Sequence, residues 1–383
     1  MSDSLKPSSE AELAEIIDAS DAPFEVTGTA TKRGLGRPVQ AARTLDLSGF
    51  TAVHAYEPEE LILEAGAGAT RTEIEALIDG RGQQFAFEPP DLSALLGSAN
   101  AGTIGGMVAC NLAGPRRIKA GAARDHVLGV RGVSGQGAIF KAGARVVKNV
   151  TGYDLPKLMT GSHGTLAAMT SITLKVLPKP ETEETLVLTG LDDRTAVAAM
   201  SLAMQSSCEV SGAAHIPGEA TYLRLEGIAV SVADRRDTLA RRLGRPVQVL
   251  AAQSSAAKWQ SIRDGLPLAD GTERQVWRLS VTPSEAPGIV ATLRSKIDLR
   301  YYFDWAGGLV WLDVPPSDDA SATVIRAACP RGHATLIRAS AAVRSHVEVF
   351  QPQAAALAAL SARVKASFDP RHLLNPGRMY RGI

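Results

Sequence analysis

Residues 97–114 read GSANAGTIGGMVACNLAG, and this run constrains the chain more than any other. Five of its eighteen residues are glycine and four are alanine, while Ile104, Met107, Val108 and Leu112 recur at spacings that suit a buried helix. A glycine inside a helix costs about 1 kcal/mol relative to alanine, so Gly105 and Gly106 side by side need a reason. One reason is tight packing, with another backbone pressed against the helix start. The other is an anion: a helix N-terminus presents unpaired N–H groups and partial positive charge, and absent side chains let a phosphate reach them.

Two further small-residue segments bear on that choice. TGTATKRGLG (27–36) follows an extended run, FEVTGTA (24–30), and NVTGYDLPKLMTGSHGTL (149–166) is again rich in Gly and Thr. Their clustering in the first 180 residues favours the anion. The common nucleotide signatures are missing: there is no GxxxxGK[ST], and Gly66-Ala67-Gly68 meets Arg71 where a dinucleotide fingerprint requires a third small residue. HExxH and GxSxG are absent too. The histidines at 54, 126, 163, 215, 333, 346 and 372 show no ligand spacing, so no metal site is expected.

The 383 residues suffice for two to three domains, and 45% hydrophobic with 21% charged residues is ordinary for a soluble globular chain. A net charge of +1 gives no electrostatic case for nucleic acid. Cys110, Cys208 and Cys329 are far apart and form no CxxC pair, which fits a reducing compartment. Neither a signal-peptide core nor an uninterrupted membrane-length apolar run occurs. The expected location is cytoplasmic, with membrane contact only peripheral and through partners.

Ser9–Glu12 and Thr70–Glu73 read as capping boxes that open helices, the second carrying Ile74, Leu77 and Ile78 and ending at Gly80. LILEAGAGA (61–69) reads as a strand, and AAMTSITLKVL (167–177) as a half-buried one with Ile172, Leu174 and Val176 alternating against Thr173 and Lys175. PKPETEE (178–184) marks the best domain boundary. All four tryptophans lie beyond it, at 259, 277, 305 and 311. Near the end, QAAALAALSARVKASF (353–368) reads as a helix with Leu357, Leu360 and Val364 on one apolar stripe, followed by the turn LLNPGRMY.

The run EPPDLSALLGSANAGTIGGMVACNLAGPRRIKAGAARDHVLGVRGVSGQG, with VVKNVTGYDLPKLMTGSHGTL, resembles the FAD-binding domain of the vanillyl-alcohol oxidase superfamily. The combination of GPRR, VKNVTGYD, WRLS (277–280), GHATLIRA (332–339) and FDPRHLLNPGR (368–378) is similar to the FAD-binding subunits of bacterial glycolate oxidases, over nearly the whole chain. The resemblance implies an α+β fold. A PCMH-type FAD-binding domain of two α/β subdomains (1–180) would carry a smaller α/β cap (181–350), and a C-terminal helix and tail (351–383) would return to the flavin domain. It implies FAD on Thr27, Gly28, Thr29, Ala30, Thr31 and Lys32 in the first loop and on Gly102, Thr103, Ile104, Gly105, Gly106 and Gly114 in the second. Near the flavin ring and ribityl chain it places Pro89, Pro90, Arg124, Asp125, Gly161, Gly164 and Thr165, and from the tail Asn375, Pro376 and Gly377. Relatives that bind FAD covalently use His or Cys in the first loop. None lies between 24 and 37, so the FAD is expected to be noncovalent, with His163 beside Gly164 the one residue that stands against this.

Flavin oxidation of a small 2-hydroxy acid needs a cation for the carboxylate, a base for the hydroxyl proton and the carbon-bound hydrogen aimed at the flavin. The cap offers Arg278 and Arg338 as carboxylate clamps and His333 as the base, beside Tyr301, Tyr302 and Trp305. Arg116, Arg117, Lys119 and Arg124 form a basic cluster suited to an anionic substrate, an acidic partner or plain solvation. The HxGDGNxH-type motif of catalytic superfamily members is absent. Three functions stay open. The chain is a glycolate oxidase subunit working with a larger flavin subunit and an iron–sulfur subunit, or a flavin-bearing relay or assembly subunit, or a stand-alone oxidase of another hydroxy acid.

Overall fold

The computed structural model describes residues 3–144 and 152–383; the part of the VKNVTGYD motif from 147 to 151 lies outside the described residues. Strands β1 (Asp3–Leu5), β2 (Phe24–Thr27) and β3 (Arg43–Asp46) form a small parallel sheet in the order β1-β3-β2. The helix Glu10–Asp18 joins the first two, opened by Ser9, whose hydroxyl accepts the Glu12 N–H at 3.1 Å. The second sheet contains β4 (Val53–Glu57) and β5 (Ile62–Gly66); a two-residue strand β6 (Gln83–Gln84) stands apart. Then come β7 (Val127–Ser134), β8 (Ile139–Gly143) and β9 (Ala167–Lys175), giving an antiparallel order β4-β5-β9-β7-β8. The strand read as half-buried is buried on both faces from Ala167 to Leu174. It runs through the sheet centre between β5 and β7, and Glu10 covers its polar side by accepting the Thr170 hydroxyl at 2.6 Å.

The chain leaves this half through β10 (Leu177–Pro178), paired with β6, and enters an eight-stranded antiparallel sheet. Its strands are β11 (Thr182–Leu188), β12 (Gly212–Ile216), β13 (Ala220–Gly227), β14 (Gln248–Leu250), β15 (Gln275–Ser280), β16 (Arg300–Asp304), β17 (Leu309–Val314) and β18 (His333–Arg338). The order is β14-β11-β13-β12-β16-β17-β15-β18. Period-2 alternation gives the sheet two apolar faces. Trp277, Leu279, Leu312 and Leu336 pack under the helices Asp193–Met204, Ala229–Leu243, Ala286–Arg294 and Ala322–Ala328. Tyr302, Trp311 and Ile337 point the other way, onto Leu35, Leu92, Leu95 and Leu112 of the first half.

The tail crosses back. Phe24 and Leu374 form an isolated parallel bridge, with Phe24 N–H donating to Leu373 O at 2.7 Å and Asn375 N–H to Phe24 O at 3.0 Å. The helix before it, Ala355–Phe368, departs from its expected apolar stripe: Leu357 and Leu360 are 51% and 47% exposed, and the side chain at its base that reaches full burial is Lys365.

Candidate active site

Two cavities meet where the halves face each other. The first is a cleft of about 770 Å³ between the 25–33 loop, the helix Ile104–Ala109, the 163–169 segment and the tail residues Asn375 and Arg378. All six residues expected from the first loop, Thr27 to Lys32, line it, as do Thr103, Gly105, Gly106, Gly164 and Asn375.

The two loops differ in what they offer an anion. Among the described residues, the backbone N–H groups of Gly28, Thr29, Ala30, Thr31 and Lys32 meet no acceptor, and Ala30 holds a left-handed φ of 58°. The second loop uses its own amides. Ile104 N–H donates to Ala69 O at 3.0 Å, Gly105 N–H to Ala67 O at 2.7 Å, and Gly106 N–H to the Thr103 hydroxyl at 3.2 Å. The helix start is therefore not the open phosphate seat its glycines suggested. Those glycines allow close approach instead: a Cβ on Gly105 would lie 2.7 Å from Ala67 O, and one on Gly28 2.7 Å from Thr103 Oγ1.

Two cations flank the free amides without a carboxylate partner among the described residues. Lys32 Nζ donates to Ala101 O at 2.8 Å, and its burial lowers its pKa. Arg378 donates to Lys32 O at 2.8 Å and to Arg37 O at 3.4 Å. Asn375 ties the walls together, accepting from Val26 N–H at 2.8 Å and donating to His163 O at 2.8 Å. Five free amides and two uncompensated cations fit a diphosphate-bearing cofactor.

Several expected residues stand elsewhere. Ile104 is wholly buried in the core, and Thr165 turns its hydroxyl to Ser162 O. Arg124 and Asp125 are exposed; the Asp125 carboxylate accepts Ala122 N–H at 2.9 Å and closes the turn into β7. Gly102 abuts the cleft wall at Thr31, Gly161 lies against Asn111 outside the lining, Gly377 N–H donates to Ile383 O, and Gly114 O accepts the Trp305 indole N–H at 3.0 Å. Pro89 and Pro90 give their carbonyls to the buried Arg71, and Pro90 also lines the second cavity. His163, weighed against noncovalent FAD, lines the cleft beside Gly164, and Arg378, Cys110 and Met169 line it beyond the expected residues, Arg378 within the NPGR motif.

The second cavity, about 620 Å³, shares Cys110 and His163 with the first. Arg278 is the one ionised side chain among its described lining residues. Alternation along β15 sends Arg278 to this face, opposite Trp311 on β17 and Thr335 on β18. Its guanidinium lies 4.9 Å from the Trp305 ring centroid and 5.9 Å from that of Trp311, and finds no hydrogen-bond acceptor among the described residues. Burial, with Arg117 nearby, brings its pKa down to about 10, so it stays charged at neutral pH. Next to it, Trp305 and Ala306 both hold left-handed φ values, 51° and 55°, strain of the kind that gathers at functional sites.

The other expected catalytic residues are not brought to this point. His333 begins β18 and is exposed, paired with Ser280 at the far end of the sheet, and it lines neither cavity. Arg338 donates to Arg274 O at 2.9 Å and Leu95 O at 3.4 Å, a bond between the halves rather than a clamp. The imidazole present is His163, with Nδ1 3.7 Å from the Cys110 sulfur and a left-handed φ of 52°. Burial, reinforced by Arg378, lowers its pKa to about 3, so it is a neutral acceptor at physiological pH.

Gly105 and Gly106 separate packing from binding. Gly105→Val is expected to cost about 3 kcal/mol of stability and lose cofactor together with fold, since its Cβ meets backbone. Gly106→Ala meets only Lys32 and Thr103 side-chain atoms at 3.5 Å, so it should keep the fold and weaken the cofactor alone. Thermal melts with and without FAD check both.

Known proteins are similar to this chain in sequence and in fold. The FAD binding domain family matches residues 4–143. The glycolate oxidase subunit GlcE of Escherichia coli (strain K12) is 34% identical over 360 residues, 94% of this chain and 93% of that one. The glycolate oxidase subunit GlcD of Bacillus subtilis (strain 168) is 33% identical over 150 residues, 39% of this chain and 30% of its own. In fold, a 4-ethylphenol oxidase from Gulosibacter chungangensis superposes with a TM-score of 0.73 at 12% identity, covering 99% of this chain and 89% of that one.

Proposed function

The chain belongs to the family of the glycolate oxidase subunit GlcE, and from that premise we propose that it oxidises glycolate to glyoxylate in the Arg278 cavity as part of a complex. It is an FAD-linked hydroxy-acid oxidoreductase. In this reading the free amides of residues 28–32, with Lys32 and Arg378, hold the FAD diphosphate, and Asn375 fixes the wall beside them. Residues 1–180 form the flavin unit, 181–350 the cap and 351–383 the tail that locks them. Bound FAD supplies the two-electron acceptor. The larger flavin subunit and an iron–sulfur subunit take the electrons onward. Among the described residues, no helix is long and apolar enough to cross a membrane.

The observation that carries the reading is a single charged guanidinium, without an acceptor, facing a cavity that opens on the FAD cleft. Arg278 holds the glycolate carboxylate in a two-pronged bond; Trp305 and Trp311 keep its plane fixed and exclude water. His163, neutral at the junction, accepts the hydroxyl hydrogen bond that the exposed His333 cannot reach.

Anaerobic titration of the FAD-loaded chain with glycolate tests this. The flavin should bleach, and Arg278→Met should weaken glycolate about 100-fold, the worth of a charge-assisted pair at 1.5–3 kcal/mol. A flavin that glycolate leaves oxidised in the isolated chain, and in the Arg278→Met complex no loss of activity, would hand the chemistry to a partner and leave this chain a relay. Acid precipitation should release the flavin, as a noncovalent cofactor does.

A further inference from the structure

We propose that the Arg278 cavity prefers 2-hydroxy monocarboxylates bearing an apolar substituent and excludes 2-hydroxy dicarboxylates. This rests on the proposed function and deepens it, since glycolate itself carries no substituent on its carbinol carbon.

Charge sets the first limit. Among the described lining residues Arg278 is the sole cation and there is no carboxylate; Arg117, over the same Trp305 ring at 4.3 Å, and Asp304 act on it from outside the lining. The second arginine on this part of the sheet, Arg338, lies outside the lining, with its Nη2 buried and without a partner among the described residues. β18 shifts register opposite Val276 and Trp277, so that Arg338 pairs with Val276, Leu336 with Trp277, and Ile337 is the extra residue of a bulge. Arg338 gives its Nε and Nη1 to Arg274 O and Leu95 O, and only Ile337 of the two lines the cavity. One guanidinium neutralises one carboxylate. A second would be left desolvated against an apolar wall.

The wall sets the second limit. Leu92, Leu112, Trp311, Ile337 and Phe350 line the cavity with Arg278, and the polar side chains left to a ligand are Thr335, His163 and Cys110. A two-carbon acid presents nothing to those side chains. Each methylene added against them should tighten binding about fourfold, the transfer value for burying one CH₂.

The test uses the FAD-loaded full chain and three 2-oxo acids that bind without being oxidised: glyoxylate, 4-methyl-2-oxopentanoate and 2-oxoglutarate. Dissociation constants are read from the shift in flavin absorbance. 4-Methyl-2-oxopentanoate should bind at least tenfold more tightly than glyoxylate, and 2-oxoglutarate at least tenfold more weakly than 4-methyl-2-oxopentanoate. Ile337→Trp, which fills the wall, should reduce the preference for the branched acid at least tenfold. Glyoxylate binding as tightly as the branched acid, 2-oxoglutarate matching it, or an unchanged preference in Ile337→Trp overturns the inference while the proposed function stands. Binding of none of the three removes both.

Discussion

Lys365→Met is expected to cost about 3–5 kcal/mol of stability and to loosen FAD at least tenfold. Lys365 and Asp369 are both fully buried, with Nζ 2.6 Å from Asp369 Oδ2, 2.6 Å from Thr165 O and 2.9 Å from Leu374 O. Methionine fills the space and removes the cation, leaving the Asp369 carboxylate buried; breaking a buried pair from one side typically costs that much. Asp369 still accepts Leu373 N–H at 2.9 Å and Leu374 N–H at 2.8 Å, so the double variant Lys365→Met with Asp369→Leu should recover only part of the loss. The FAD effect follows from what Leu374 and Asn375 hold. They pair with Phe24 and Val26 immediately before the loop of free amides, and Asn375 grips His163 O. Denaturant titration and FAD binding by fluorescence read the two effects. Stability within 1 kcal/mol of the parent would contradict this account.

Arg224→Met is expected to be comparably severe, and its signature is pH. Glu88 and Arg116 of the flavin half meet Arg224 and Glu226 of β13 in a buried quartet. Arg224 grips Glu88 with two bonds of 2.8 Å, and Arg116 gives Glu88 its backbone N–H, also at 2.8 Å. Burial pushes the Glu88 carboxyl up, yet Arg224 and then Arg116 outweigh it and bring it down to about 2. A carboxylate depressed in the folded state stabilises above its ordinary pKa of 4.5 and loses that contribution as pH falls toward 2. Without Arg224 the burial of Glu88 dominates. The variant should lose about 3–5 kcal/mol at pH 7, and its acid unfolding should begin at higher pH than the parent's. Melts from pH 3 to 7 check this; an unchanged acid limb would show that the quartet does not couple the halves.

Local chemistry was readable where it acts within a few residues. Ser9 and Thr70 cap the helices their capping boxes announced, with the Thr70 hydroxyl accepting Glu73 N–H at 3.3 Å. The alternation in VWRLS sends Trp277 and Leu279 to one face and Arg278 to the other. The Ala355–Phe368 helix shows where such reading ends. Its leucines look like a core stripe, but the cover over Lys365 comes from residues 165 and 374, contacts no periodicity announces.

The family and the FAD were legible through the resemblance that the glycine-rich loops and the GPRR, TGYD and NPGR motifs carry, and the capped helix starts through chemistry that acts on neighbouring backbone. Arg278 stood as a candidate beside Arg338 and His333, and strand parity, a local property, agrees with its place opposite Trp311. Tertiary structure decided the rest. Gly105 is a packing glycine because Ala67, 38 positions away, claims its amide. His163 stands at the junction of the cavities and His333 at an exposed strand end, because the 35, 92–95 and 112 segments pack on the Tyr302, Trp311 and Ile337 side of the sheet and leave the start of β18 uncovered. Which donors remain free, and which charges are buried, depends on partners distant in the chain, and only the folded molecule brings them within hydrogen-bond reach.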